Sequence, residues 1–233
     1  PDVCHAIGAS AVDDPELLAV VEGFLNDADL GQEATTDAEG TSHVGTLAAV
    51  QRDATRAAAG EAIAQLLHAA PRHAARLLPA VRRLATASSP AVRDAAAMAA
   101  RVLLPTEPEA ALEIATMVLD AVVADEPEGP HTIRLLGAAF QREPDRFASY
   151  LLRAISGPNP VAEYTGAVWA HHSLQGSIHS ALPRTVDALP VAARRGAASQ
   201  FASHPAQAVD QLVALFDDPD AQVRQNASTT FEH

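Results

Sequence analysis

The sequence contains no lysine: all sixteen of its basic residues are arginine. That absence excludes P-loop phosphate binding, kinase-type ATP sites and Schiff-base chemistry, each of which needs a lysine amine. Cysteine is nearly absent too. A single Cys4 cannot form an internal disulfide, and it excludes CxxC redox pairs and multi-cysteine zinc sites. A lone thiol fits a reducing, cytoplasmic setting. Aromatic residues are scarce, with one Trp and two Tyr. No run of about 18 apolar residues occurs, so no membrane span is expected. The chain starts at Pro1, with neither an initiator Met nor a signal peptide, and reads as a fragment of a longer protein.

What is present is alanine-rich and helical in period. Hydrophobic residues make up 48% of the chain, enough for a globular core and too many for a disordered chain. Apolar positions recur at i, i+3, i+4 and i+7, the spacing that lines up one helix face. One stripe is Ile63, Leu66, Leu67 and Ala70. A second is Ala74, Leu77, Leu78, Val81, Leu84 and Ala85. A third is Ala111, Ile114, Ala115, Val118, Leu119 and Val122, and Val209, Leu212 and Phe216 continue the pattern. No alternating run of β-branched residues predicts a sheet. Asp14-Pro15, Ser89-Pro90, Asn159-Pro160 and Asp218-Pro219 each place a capping oxygen before a proline that suits a first helical turn. Short linkers predict antiparallel neighbouring helices.

The helices repeat. Ser-Ser-Pro-Ala-Val-Arg-Asp-Ala-Ala (88–96) echoes Asp-Pro-Asp-Ala-Gln-Val-Arg-Gln-Asn-Ala (218–227). Arg56, Arg93, Arg134, Arg195 and Arg224 are each expected to open an alanine-rich helix, at intervals of 37, 41, 61 and 29 residues. The interval of 61 accommodates two units, the middle one covering 160–189. Self-similarity at this period predicts an all-α, right-handed α-solenoid of about five to six antiparallel helix pairs over residues 54–233, each pair burying its apolar face on its neighbours. Residues 1–53 stand apart: a helix over 15–25, then a polar, acidic loop over 26–46.

The Val92-Arg93 and Val223-Arg224 turns, each followed by an alanine-rich helix, resemble the HEAT repeat, although Ser88-Ser89 stands where the first turn's Asp is expected. The resemblance implies a structural role for Val92, Arg93, Val223 and Arg224 in knitting one repeat to the next. Residues 76–85, 194–198 and 215–224 are similar in phrasing to the C-terminal helical region of large bacterial multidomain ATPases of the STAND type. That likeness implies a sensor or regulatory segment, although no ATPase motif lies within the chain.

Charge is distributed unevenly around a total of −13. Residues 1–53 carry a net −10, residues 54–104 a net +5, and residues 105–233 a net −8. In the basic stretch, Arg72, Arg76 and Arg83 share one helical face opposite Leu77, Leu78 and Val81. They form either a solvated outer face, a site for an acidic partner or phosphate, or a surface that the acidic segment 27–39 covers. Trp169 is the other candidate, as core or as an interface anchor. His171, His172 and His179 are close in sequence, but Gly176 breaks the helix between the last two and no metal site is expected. The expected function is thus a protein-interaction, scaffold or sensor module without catalysis or cofactor. It would serve a protein partner or another domain of a larger bacterial protein. The alternative is a nucleic-acid-binding module using the Arg-rich segment 72–101. The acidic total and the shortage of aromatics weigh against it.

Overall fold

The computed structural model describes residues 42–122 and 129–229, together with Ala19 and Gly23. Among the described residues the protein is all-α, with ten α-helices and no strand. We number them α1 (Ser42–Ala69), α2 (Ala74–Ala85), α3 (Pro90–Leu103), α4 (Pro108–Asp120), α5 (Pro130–Arg142), α6 (Pro144–Ile155), α7 (Asn159–Leu174), α8 (Val191–Ala202), α9 (Val209–Phe216) and α10 (Ala221–Ser228). Short 3₁₀ turns at Pro71–His73, Val186–Ala188 and Pro205–Gln207 complete the chain. Prolines punctuate as their chemistry dictates: α3, α4, α5 and α6 all begin on one, where no amide needs a partner.

The chain divides into two compact units, one ending at Leu135 and the other beginning at Leu136. In the first unit each of α1 to α3 packs on its successor. In addition α1 packs on α3 and α2 on α4, the α1–α3 contact being the most extensive. In the second unit the most extensive contact joins α7 to α8, and α8 also packs on α10. Between α7 and α8 the chain makes no α-helix, only the Val186–Ala188 turn.

Small residues set how closely these helices meet. Close to half of the buried apolar side chains are alanine, including Ala95, Ala96, Ala97, Ala99 and Ala100 along α3. A Cβ on Gly60 of α1 would lie 2.7 Å from the Ala95 Cβ of α3. In the second unit a Cβ on Gly166 would overlap the Ala193 carbonyl, and one on Gly196 the Glu163 carbonyl. There α7 and α8 touch backbone to backbone, and only glycine leaves room.

The apolar stripes bury largely as their period predicts: Ile63, Leu66, Leu67, Leu77, Val81, Ile114 and Val118 are all in the core. The last stripe follows its prediction only in part. Leu212 is buried as expected, but Val209 is 59% exposed and Leu215 is buried in its place. A helix of eight residues has only two turns, too few to fix a face by periodicity.

Two further expectations need correction, and others fall on residues outside those described. The expected boundary between residues 53 and 54 falls inside α1, which already runs from Ser42, so Arg56 is mid-helix and the expected loop ends earlier. The helix expected over 15–25, apart from Ala19 and Gly23, and the loop over 26–41 lie outside the described residues, as do Cys4 and Asp14. Ser89 makes no side-chain capping bond to α3, and Asn159 is the first residue of α7 rather than its cap. Near Pro219 the cap is Asp220, whose side chain accepts from the Val223 amide, because α10 starts two residues after the proline.

Candidate functional site

The repeated turn builds a guanidinium clasp. Arg93 lies at the start of α3, buried to 4% exposure, with Nη1 donating to the carbonyls of Ser88 (2.6 Å) and Ala87 (3.0 Å). Arg224 does the same at the start of α10, donating to the carbonyls of Asp218 (2.6 Å) and Pro219 (3.0 Å). Arg194 at the start of α8 donates to the Leu189 carbonyl at 2.8 Å, again five residues back. Carbonyls of a tight turn face inward without amide partners, and a planar fork satisfies two of them at once. Val92 and Val223, the residues before two of these arginines, are fully buried beneath the turns. The sequence pointed to Arg195 as the repeating residue, but the clasp belongs to its neighbour Arg194.

The residue after the clasp reaches a later helix start. In the first unit, Asp94 Oδ1 accepts from the Thr132 amide (2.7 Å) and hydroxyl (3.0 Å) on the first turn of α5. A Cβ on Gly129 would overlap the Asp94 carboxylate, so the approach depends on glycine there. In the second unit, Arg195 donates to both carboxylate oxygens of Asp220 at 3.0 and 2.8 Å. Asp220 in turn caps α10 through the Val223 amide at 3.1 Å. The Arg195 hydrogen bond holds the Asp220 carboxyl down to about 2, with help from the Val223 amide. Beside this pair, Arg194 Nε donates to Asp218 at 2.7 Å, with 13% and 4% of the two side chains exposed. Asn226 adds a bond from its amide to the Arg195 carbonyl at 3.0 Å.

Three arginines are exposed at α2 and the turn before it. Arg72, in the turn preceding α2, and Arg76 and Arg83 on the helix itself are all exposed. Pro79 lies between them and is exposed as well. Two more arginines of the basic stretch serve the fold: Arg82 bridges to Glu113 of α4 at 2.7 Å, and Arg93 holds its turn. The acidic segment 27–39 lies outside the described residues.

Trp169 is the expected site residue that the structure moves. It is 1% exposed, donates Nε1 to the Pro183 carbonyl at 2.8 Å, and packs edge-on to Phe201 at 6.3 Å. It is a core residue of the second unit rather than an interface anchor, because its single polar atom is already satisfied inside.

The histidines part company. His179 meets Asp145 at 2.9 Å, while His172 is buried with its ring edge against Phe140, 4.8 Å between centroids. His172 Nδ1 lies 3.2 Å from the Ser177 hydroxyl, and its Nε2 is buried with no hydrogen-bond partner. Burial, and next the neighbouring His171, push the His172 pKa down. The chain turns away beyond it because Gly176, at φ 66°, closes α7: the Ser177 amide reaches the His172 carbonyl and the Gly176 amide reaches that of Ser173. Among the described residues no three His, Cys, Asp or Glu side chains gather as metal ligands, and no helix is long and apolar enough to cross a membrane.

Comparison with protein-family models, curated proteins and solved structures gives no match.

Proposed function

We propose that the chain is a HEAT-like α-solenoid segment that binds a protein partner, in the cytoplasm, as the sensor or scaffold end of a larger bacterial protein of the STAND type. The helix pairings favour the solenoid reading. In the first unit α1 and α2 each contact both their successor and the next helix but one, as stacked pairs do. In the second, α7, α8 and α10 follow one another as α1 and α3 do, with residues 175–190 taking the place of a second helix. That arrangement matches two units within the 61-residue arginine interval. Three arginine clasps, two of them followed by a link to a later helix start, are what a repeat needs to stack.

The observation that carries the binding reading is the exposed Arg72, Arg76 and Arg83 face in a chain of net charge −13. Guanidinium forks spaced along one helix suit carboxylates on an acidic protein surface. Arg82 and Arg93 are occupied within the fold, which weighs against a continuous basic track for a phosphate backbone. The test is affinity capture with the chain and with its Arg72→Glu, Arg76→Glu, Arg83→Glu triple variant, beside a DNA titration at several salt concentrations. A partner retained by the first and lost by the second supports the proposal. Equal capture by both, or tight DNA binding at physiological salt, overturns it.

A further inference from the structure

The second unit holds an open cleft of about 230 Å³, between the irregular segment that follows α7 and helix α9. Its walls carry Arg184 and Asp187 on the irregular side and Asp210 on α9, over an apolar lining of Trp169, Val186 and Ala214. Arg184, Asp187 and Asp210 are all exposed. Arg184 spends its guanidinium only on a long contact to the Ile178 carbonyl at 3.5 Å. Neither Asp187 nor Asp210 forms an ion pair among the described residues, so two signs of charge face one cavity without cancelling each other.

Charge and size narrow what fits. A lone anion meets two carboxylates, and a lone cation meets the guanidinium; a ligand carrying both charges is matched on both walls. The volume lies below the range of about 300–1,000 Å³ typical of drug-sized ligands, which favours a ligand the size of a single residue over a nucleotide. The apolar lining adds a place for a hydrocarbon side chain. We infer that this cleft binds a free α-amino acid, its carboxylate on Arg184, its ammonium on Asp210 and Asp187, and its side chain against Trp169, Val186 and Ala214. The site is separate from the α2 face and does not depend on it.

Isothermal titration of the whole chain with L-alanine, L-leucine and L-phenylalanine tests the inference, beside N-acetyl-L-leucine and L-leucinamide. Each derivative removes one of the two charges. At least one free amino acid is expected to bind with a Kd of about 1 mM or tighter, and both leucine derivatives at least about tenfold more weakly than leucine. Arg184→Gln and Asp210→Asn are each expected to weaken amino-acid binding by a similar factor. Both positions are exposed, and circular dichroism checks that the variants keep their helices. No saturable binding of any free amino acid overturns the inference. So does equal binding of leucinamide, which marks a cation site, or of the acetyl derivative, which marks an anion site. Variants that bind as the parent does overturn it as well. None of these outcomes bears on the capture experiment above.

Discussion

The two units solve one mechanical problem with opposite charges. After the Arg93 clasp comes an acid, and Asp94 receives the amide and hydroxyl of Thr132 directly. After the Arg194 clasp comes a base, and Arg195 grips Asp220, which then caps α10 on its behalf. In both, the side chain one residue beyond the clasp anchors a later helix start. The amide-to-carboxylate link needs no second charge. The ion-pair link does, and so it answers to salt and acid. What persists between the units is geometry, and the residue types that supply it are interchangeable.

The largest break is expected at the buried member of the second unit's network. Asp218→Ala leaves the Arg194 guanidinium without its carboxylate in a site where both are largely covered, and a loss of about 3 kcal/mol is expected by urea unfolding. Arg93→Ala in the first unit strips the Ala87 and Ser88 carbonyls of their donor, with an expected cost of about 2 kcal/mol by the same measurement. Asp94→Ala removes the link to α5 and is expected to cost about 1 kcal/mol, largely independent of added salt. If instead high salt restores the Asp94→Ala loss, the proposed difference between the two links is wrong.

Acid sharpens the contrast further. Asp220 is held at about 2 when folded, below the ordinary 3.8, so its contribution is complete above about pH 4 and disappears as the pH falls through about 2. Asp220→Asn is expected to flatten that part of the stability profile. His172 acts at milder pH. Its folded pKa is lowered, so the unfolded chain takes up the proton first. Stability is full above the ordinary 6.5 and falls as the pH drops through the depressed folded value. His172→Gln is expected to remove this dependence, and a profile unchanged by the substitution would contradict the burial assigned to the imidazole. The smallest effect is expected at Val213, 59% exposed on α9, where replacement by Ser leaves the unfolding midpoint nearly unchanged.

How far the sequence was readable follows the range of the interactions. The helix start at Pro90 rests on the fixed φ of one residue, and it was legible. So was the Val-Arg turn, because its partners lie five and six residues back. The links from Asp94 to Thr132 and from Arg195 to Asp220 were not, since they join residues 38 and 25 apart and nothing local marks them. The choice between Arg194 and Arg195 turned on one residue of helical phase, about 100° of rotation, which composition cannot resolve. Trp169 was legible only as a choice between core and surface, and a carbonyl fourteen residues away decided it. Of the candidate face, Arg72, Arg76 and Arg83 could be placed together from their spacing. The cleft could not be foreseen, because it arises where residues 175–190 fail to make a helix.

Alanine dominates the interior, and a methyl group has no rotamers to freeze. Ordering such a core therefore costs little side-chain entropy, while each buried residue removes little oil-like surface from water. Both sides of the thermodynamic balance shrink together. The expected signature is a gentle one for a chain of this size: a low heat-capacity increment on melting and a shallow denaturant slope.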